Sequence, residues 1–399
     1  MMSPDREVVI LSFARTPMTR INGSLSSMTA AALGAAAIRG ALARAGVDPS
    51  DVDQVLMGQV VQAGAGQNPA RQAAVLADLP WTVPATTVNK VCLSGLTAII
   101  DAARMIRLGE ASVVVAGGQE SMSQAPHLLP GSRRGWTYGD IQAVDSLAFD
   151  GLTDAFDRES MGSSTERGNK ELSISREAQD HVAAESHRRA AAAVQSGVFA
   201  EEIVPVEVPQ RRGSPVVVAL DEGIRPETTL DSLAALRPAF TADGTITAGN
   251  ASPLTDGATA VVVAARDVAE ARGLTWLATV GACGQVAGPD NSLHSQPSAA
   301  IAAALDRGGW DLSTVDLVEI NEAFGSVVAQ SLTDLGYPLA QTNIHGGAIA
   351  LGHPIGASGA RLAGTAAAEL SRRGHGRAAV ALCGGGGQGE ALLLWRNAD

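Results

Sequence analysis

The chain has 399 residues, more than a single domain usually contains, so two or more domains or one duplicated unit are expected. Its formal net charge of −12 argues against a nucleic-acid-binding protein, because phosphate backbones are bound by a basic face. Hydrophobic residues make up 46% of the chain and 44 residues are glycine, a composition that favours close packing and a homo-oligomer.

The three cysteines, Cys92, Cys283 and Cys383, are odd in number and far apart. This predicts a reducing compartment rather than a disulfide framework. The first residues, MMSPDREVVI, contain neither an apolar signal segment nor a transit pattern, and apolar runs are too short to cross a membrane. We therefore expect a cytoplasmic protein with no membrane partner.

Short apolar strands alternate with Ala-rich helices along the first third of the chain. The order is a strand in REVVILSFA, a helix in MTAAALGAAAIRGALARAG, a strand in VDQVLMGQVV, a helix from Leu93 to about Leu108 and a strand in ASVVVAGGQES. This alternation predicts a sheet covered by helices.

Loops and charged helices replace the alternation between about Gln124 and Ser252. The segment EIVPVEVPQRRGSPVVV predicts a pair of strands bounded by prolines. His181 and His187 lie on different faces of an Ala-rich helix, and we expect both to be surface residues. Because ligand contacts concentrate on loops carried by a rigid scaffold, we expect this insertion to form a binding surface.

The last third of the chain repeats the scheme of the first. TVDLVEINEAF matches VDQVLMGQVV, a helix from Ala357 to about Arg373 matches the one after Cys92, and AAVALCGGGGQGE matches SVVVAGGQE. The same order at a similar offset predicts two related α/β halves.

Four segments carry reactive residues against apolar backgrounds. NKVCLSG places Cys92 just before a helix, where free amides and the helix dipole are expected to lower the pKa of a thiol. EINEAFG places Asn321 at a strand end, GGAIALGHPIGASGAR places His353 in a Gly-rich turn, and CGGGGQG places Cys383 at another strand end. Each residue alone has an ordinary structural explanation. Duplicated halves would bring them to one edge of the fold, where two thiols, an imidazole and an amide suit acyl transfer.

Two other uses of these residues are weakly supported. The glycine run lacks the G-K-[ST] ending of a phosphate-binding P-loop. His345 and His353 with a cysteine lack the CxxC or HxxxH spacing of a metal site. We therefore predict neither a P-loop nor a metal site.

Over essentially its whole length the sequence resembles the thiolase family. The resemblance is carried, in the family's order and spacing, by VNKVCLSG, VVAGGQESMS, GNASPLTDGA, NEAF, GGAIALGHPIGASGAR and CGGGGQG. It is strongest to acetyl-CoA acetyltransferases and short-chain 3-ketoacyl-CoA thiolases. It implies an α/β fold of the thiolase-like, five-layered αβαβα kind, with two duplicated halves and an inserted loop domain, assembled as a homodimer or tetramer.

The resemblance also implies the domain limits. The N-terminal half spans residues 1–123 and is completed by about 253–275. The loop domain, for coenzyme A binding and oligomerisation, spans 124–252, and the C-terminal half spans 276–399.

Catalytic roles follow from the resemblance residue by residue. Cys92 matches the nucleophile that carries the acetyl group, and His353 matches the base that activates it. Cys383 matches the second thiol, which takes a proton from the methyl group of the next acetyl-CoA or returns one in reverse. Asn321 matches the residue that holds a water, and this water and His353 form one oxyanion hole. The backbone amides of Cys92 and Gly385 form the other.

Further matches concern the substrate. Ser252 matches the serine that contacts the pantetheine arm, and Arg225 matches the arginine near the adenine. Met161 and Phe324 match apolar residues that line the acyl pocket. The resemblance implies no metal and no cofactor, because acetyl-CoA, acetoacetyl-CoA and coenzyme A are substrates or products.

The implied activity is the reversible Claisen condensation of two acetyl-CoA to acetoacetyl-CoA and coenzyme A, through an acetyl-cysteine. One alternative is a 3-ketoacyl-CoA thiolase of fatty-acid β-oxidation that acts on longer chains. Others are a non-catalytic acyl-CoA-binding protein and a redox role for a reversible disulfide between Cys92 and Cys383. A ketosynthase is disfavoured, because that group replaces the second cysteine with histidine or asparagine.

The sequence departs from the family pattern at four positions. Ser160 stands where biosynthetic thiolases usually have a histidine, which keeps the longer-chain alternative open. His294 and Gln296 replace a Gly-rich segment near a proline, and we expect them to reshape the edge of the pocket. His345 stands where asparagine is common.

Overall fold

The computed structural model describes residues 6–398. Within this range the strands are β1 (Val8–Arg15), β2 (Thr19–Arg20), β3 (Gln54–Gly58), β4 (Ala85–Val88), β5 (Val113–Glu120), β6 (His127–Leu128), β7 (Val144–Asp145), β8 (Val206–Val208), β9 (Val216–Val218), β10 (Thr255–Ala265), β11 (Ala278–Ala287), β12 (Leu317–Ile320), β13 (Gly376–Gly384) and β14 (Gln388–Arg396). The α-helices are α1 (Ala30–Ala45), α2 (Pro69–Leu76), α3 (Ser94–Arg107), α4 (Met161–Glu171), α5 (Arg176–Gln195), α6 (Val198–Glu202), α7 (Leu230–Ala234), α8 (Arg266–Ala271), α9 (Gln296–Gly308), α10 (Gly325–Leu335), α11 (Ala348–Leu351) and α12 (Ser358–Arg373).

Two sets of strands with the same connectivity form the main sheet. Its order is β12-β13-β14-β11-β1-β10-β5-β3-β4, with β2 paired to β10. In the first set β1, β10 and β5 are antiparallel neighbours and β5 pairs with β3 in parallel. In the second set β11, β14 and β13 are antiparallel neighbours and β13 pairs with β12 in parallel. The predicted duplication is therefore confirmed, and the sets join through a short antiparallel contact between β1 and β11.

Helices cover both faces of each set of strands. One buried apolar cluster joins α1 and α2 to the first set, and Leu33 and Val262 belong to it. A second cluster joins α3 and α12 to both sets, through residues such as Leu96 and Leu362. A third joins α9 and α10 to the second set. Each set of strands forms one sheet layer, so the order of layers is helix, first set, helix pair, second set, helix, which is the predicted αβαβα arrangement.

The two central helices approach closely where glycines remove the side chains. A Cβ atom on Gly95 would lie 2.8 Å from the carbonyl oxygen of Gly356, and one on Gly118 in the neighbouring strand β5 would lie 1.8 Å from the same oxygen. Gly95 lies in the first turn of α3, and Gly356 just precedes α12. The contact therefore brings the N-terminal ends of both helices, and with them Cys92 and His353, to one edge of the molecule.

Both central helices begin and end within one residue of their predicted limits. A difference of one residue is within the precision with which helix ends are defined. The predicted strand pair bounded by prolines is present as the antiparallel β8 and β9. The chain between β5 and β10 also contains α4 to α7, and β10 returns to lie between β1 and β5. Among residues 6–398, none of the helices combines the length and the apolar character needed to cross a bilayer.

One of the two histidines expected at the surface is buried. His181 is exposed, but His187 is only 3% exposed, and its Nδ1 accepts a hydrogen bond from the backbone N–H of Arg225 at 3.2 Å. Helix α5 packs against α10, α11 and α7 and is thus covered on several sides. The expectation for His187 was wrong because the helix pattern does not show this tertiary cover.

Candidate active site

A cavity of about 630 Å³ opens at the edge where the two halves meet. Cys92, His353, Cys383 and the backbone at Gly385 lie in its wall. Ser252, Arg225, Met161 and Phe324 line it as well. Eight of the nine residues singled out from the sequence therefore face one space. The ninth, Asn321, is fully buried directly behind His353.

A strained turn places Cys92 before α3. Val91 adopts φ 51°, which β-branched residues rarely do, so the surrounding contacts must hold it. The Ser94 hydroxyl accepts a hydrogen bond from the backbone N–H of Lys90 at 2.8 Å and donates one to the carbonyl of Val91 at 2.6 Å. This serine fixes both sides of the strained residue and so aims Cys92 into the cavity.

The Cys92 thiol is protonated in the resting site. Removal from water raises its pKa to about 12, although the backbone N–H groups of Gly385 and Cys92 lie close enough to the sulfur to oppose this rise. The expected lowering of the pKa by the helix end was therefore wrong, because desolvation is the larger effect. A thiol of this kind reacts with a thioester only when a neighbouring base takes its proton.

His353 has the hydrogen-bond pattern of such a base. Its Nδ1 lies 2.6 Å from the Ser358 hydroxyl, which also donates to the carbonyl of Pro354 at 3.1 Å. With the single hydroxyl hydrogen directed to Pro354, Nδ1 carries the ring proton and Nε2 keeps a free lone pair. The Asn321 amide nitrogen lies 3.4 Å from Nε2, as expected for a donor facing that lone pair.

Electrostatics keep this imidazole neutral. Burial, and to a lesser extent the positive charge of Arg361, lower the pKa of His353 to about 4. A neutral ring near pH 7 is ready to accept a proton. The carbonyl Oδ1 of Asn321, the residue whose amide nitrogen faces Nε2, is buried without a hydrogen-bond partner among residues 6–398.

The second thiol lies near the first. Cys383, at the end of β13, is 1% exposed, and its pKa is raised by burial and by the neighbouring Cys92 sulfur. A thiol with a raised pKa is a strong base once it has lost its proton. The pair therefore offers one sulfur that can carry an acyl group and another that can exchange a proton beside it.

The outer part of the cavity is mostly apolar. Phe324 contacts Phe240 edge to face, with ring centroids 6.2 Å apart. A Cβ atom on Gly162 would lie 2.2 Å from the Phe240 ring, so glycine is needed there. The Ser252 hydroxyl donates to the carbonyl of Ala323 at 3.1 Å, and Arg225 is exposed.

The departures from the family pattern lie in different places. Ser160 lines the cavity and caps α4, accepting a hydrogen bond from the backbone N–H of Ser163 at 3.1 Å. His294 and Gln296 do not line the cavity, contrary to expectation. Nε2 of His294 lies 2.8 Å from Oδ1 of Asn169 in α4, and Gln296 donates to the carbonyl of Gly288 at 3.0 Å. Leu293 lines the cavity in their place.

His345 lies away from the cavity. Its Nε2 is 3.0 Å from a carboxylate oxygen of Glu369. Among residues 6–398 no group of three or more histidine, cysteine or acidic side chains is arranged to hold a metal ion.

Sequence reasoning missed several residues that support the site. Ser358 is one, and the sequence signal for it is a hydroxyl five residues after His353. Glu120 is another: burial raises its pKa to about 7, and it accepts hydrogen bonds from the backbone N–H groups of Gly356, Val60 and Val61 at 2.8, 3.1 and 3.1 Å. It therefore joins the two halves beside the catalytic edge.

Sequence comparison identifies the class of protein that this fold and site define. The profile of the family "Thiolase, N-terminal domain" matches residues 8–267, and that of "Thiolase, C-terminal domain" matches residues 274–396. The chain belongs to the thiolase family.

Individual relatives are similar over nearly their whole length. The chain is 57% identical over 388 residues to the probable acetyl-CoA acetyltransferase of Mycolicibacterium smegmatis, covering 97% of this chain and 100% of that protein. It is 49% identical over 390 residues to the acetyl-CoA acetyltransferase of Cupriavidus necator, covering 98% and 99%. The crystal structure of the acetyl-CoA acetyltransferase of Bacillus anthracis matches with a TM-score of 0.93 at 37% identity, covering 98% of each chain.

Proposed function

We propose that this thiolase is an acetyl-CoA C-acetyltransferase, which condenses two acetyl-CoA to acetoacetyl-CoA and coenzyme A and catalyses the reverse cleavage. One observation carries the proposal: a neutral imidazole and two neighbouring thiols face a single apolar cavity. The names of the relatives support acetyl-CoA as the substrate.

The first half-reaction transfers an acetyl group to Cys92. The Cys92 sulfur attacks the thioester carbonyl while its proton moves to Nε2 of His353. The backbone N–H groups of Cys92 and Gly385 face the sulfur and are placed to stabilise the oxyanion. The carbon–sulfur bond of acetyl-CoA then breaks, and the departing thiolate takes the proton of Cys383. Coenzyme A leaves, with acetyl-Cys92, an imidazolium and a Cys383 thiolate remaining.

The second half-reaction forms the carbon–carbon bond. The Cys383 thiolate takes a proton from the methyl group of a second acetyl-CoA, and the resulting carbanion attacks the acetyl group on Cys92. The bond to Cys92 breaks, and its sulfur regains the proton held by His353. Acetoacetyl-CoA is released and every group returns to its starting protonation state.

Cleavage assays across chain lengths test the substrate. With free coenzyme A present, we expect acetoacetyl-CoA to be cleaved with a much higher kcat/KM than six-carbon and ten-carbon 3-ketoacyl-CoA. Mass spectrometry of enzyme treated with acetyl-CoA alone should find one acetyl group on Cys92. Equal or better cleavage of the ten-carbon substrate would instead support a thiolase of fatty-acid β-oxidation.

We also propose that the chain works as a homo-oligomer, a dimer or a tetramer. Strand β4 lies at the edge of the sheet and is only partly covered. Large apolar side chains are exposed in the insertion, among them Trp136, Tyr138 and Phe149. Light scattering after gel filtration should give two or four times the chain mass of 40.6 kDa. A monomer at micromolar concentration would contradict this.

A further inference from the structure

Glu390 is a fully buried carboxylate that connects the two catalytic segments. It lies on β14, just after the glycine turn that follows Cys383, and is 0% exposed. Its Oε1 accepts hydrogen bonds from the Lys90 ammonium at 3.0 Å and from the Gln285 amide, and its Oε2 accepts one from the Thr97 hydroxyl at 2.6 Å.

The partners of Glu390 lie on both sides of the nucleophile. Lys90 precedes Cys92 by two residues, and Thr97 lies in the first turn of α3, five residues after it. Glu390 itself follows Gly385 by five residues, on the strand that pairs Cys383 with Gly389. One carboxylate thus joins the chain before Cys92, the chain after it and the turn that carries Gly385. We call these contacts the Lys90–Glu390–Thr97 bridge.

The burial of the bridge and the number of its donors are typical of a structural contact rather than of an incidental surface ion pair. A buried carboxylate is stable only when charged and neutral donors surround it, and here three donors do so. The Lys90 side chain is 25% exposed, so the pair is largely shielded from solvent. Between Lys90 and Cys92 lies Val91, whose strained backbone must be held by its surroundings.

We propose that Glu390, acting through Lys90 and Thr97, is a positioning residue for acetyl transfer. The bridge sets the separation between the Cys92 segment and the Gly385 amide, the two parts that must converge on the oxyanion. The inference rests on the proposed function, because acetyl transfer is the step that needs this separation. Glu390 does not line the cavity that Cys92, His353 and Cys383 face, so we assign it a positioning role and not a catalytic one.

Substitutions along the bridge test this role. In Glu390→Gln and Lys90→Met we expect kcat for acetoacetyl-CoA cleavage to fall about 10- to 100-fold, the loss associated with a misplacement of about 1 Å, with KM for coenzyme A within about twofold. Lys90→Arg should restore most of the rate, because it keeps the charged donor. Asp101→Asn is the matched control: it breaks an exposed ion pair with Arg104 on α3 and should leave the rate unchanged.

A double-mutant cycle tests whether Lys90 and Glu390 act together or independently. If the bridge acts as a unit, Lys90→Met combined with Glu390→Gln should lose no more activity than either single variant. Losses that multiply would show independent effects and overturn the proposal. Should Glu390→Gln fail to fold, Lys90→Met and Thr97→Val, with Thr97→Ser as the conservative partner, provide the same comparison.

Alkylation provides a readout that does not depend on the reaction. The rate at which iodoacetamide labels Cys92, followed by mass spectrometry, should fall at least about threefold in Glu390→Gln and Lys90→Met, measured well below the melting temperature of each variant. Labelling and turnover at wild-type rates in both folded variants would refute the bridge. If the wild type failed to cleave acetoacetyl-CoA while the variants still labelled slowly, the proposed function would fail and the bridge would stand.

Discussion

At the scale of single residues, the charge of His353 depends on its hydrogen-bond partner as well as on its burial. The ring is held by the neutral hydroxyl of Ser358, whereas a carboxylate partner would favour the charged imidazolium. Burial therefore determines its charge and lowers its pKa to about 4. The imidazole is therefore neutral, and able to accept a proton, across the physiological pH range.

This pKa predicts how stability changes with pH. The folded state disfavours protonated His353. The contribution of the neutral ring to the free energy of unfolding is therefore complete above pH 6.5 and is lost as the pH falls towards 4. The difference corresponds to about 3 kcal/mol in the free energy of unfolding. Urea unfolding between pH 7 and pH 4 should show a smaller loss in His353→Gln than in the wild type. Parallel pH curves would contradict the assignment.

The two thiols should separate the half-reactions. Cys92→Ser should abolish the acyl-enzyme, because a hydroxyl at this position is a far weaker nucleophile. Cys383→Ser should still transfer acetyl to Cys92 but lose condensation. Mass spectrometry of the acetylated protein and a condensation assay measure the two steps. Normal condensation by Cys383→Ser would show that the role given to the second thiol is wrong.

At the scale of elements, a buried ion pair joins β12, which ends next to Asn321, to α12, which begins five residues after His353. Glu319 on β12 lies 3.5 Å from Arg361 on α12, and both are 1% exposed. Strand β12 ends just before Asn321, and α12 begins at Ser358. Burial raises the pKa of Glu319, and the positive charge of Arg361 opposes the rise and favours the charged carboxylate.

Breaking this pair should have unequal effects. Glu319→Gln leaves a buried guanidinium that cannot lose its proton, and we expect unfolding to become easier by about 3–5 kcal/mol. Arg361→Met should be milder, because Glu319 can take up a proton. Chemical denaturation at pH 7 measures both. The opposite order would mean that the charge of Arg361 is neutralised in another way.

Local patterns predicted the central elements well. Helices α3 and α12 and strands β8 and β9 follow from apolar periodicity and proline limits, which are properties of neighbouring residues. His187 and His294 were misjudged because α10, α11 and α4, distant in the chain, decide what covers them or what they contact. The supports Ser94, Glu120 and Glu390 carry no local signal of their function, since their partners become neighbours only after folding. The roles assigned to the nine site residues stay predictions.

At the scale of the whole molecule, the halves share their interior. Both sets of strands pack against the same pair of helices, α3 and α12, within one apolar cluster. Neither half can bury this surface without the other. The domain limits predicted from the sequence, at about 123, 252 and 276, are therefore boundaries in chain order, while the core continues across them.

Calorimetry should detect this shared interior. We expect a single unfolding transition, because loss of either half exposes the apolar face of the other. Two resolved transitions would show that the halves are independent units. Residues 276–399 expressed alone should lack the cooperative unfolding of the complete chain, as far-UV circular dichroism during heating would show.

The glycine contact between α3 and α12 also limits how the protein can evolve. At Gly95 and Gly356 one backbone lies against another: a Cβ atom on Gly95 would lie 2.8 Å from the carbonyl oxygen of Gly356, so even the smallest side chain would push the segments that carry Cys92 and His353 apart. Mutations elsewhere can be compensated by a change in a neighbouring side chain. At these glycines the atoms in contact belong to the backbone, so no neighbouring side chain can change to make room. Residues in the wall of the cavity can therefore change during evolution, whereas the glycines at which the two segments meet must remain glycine.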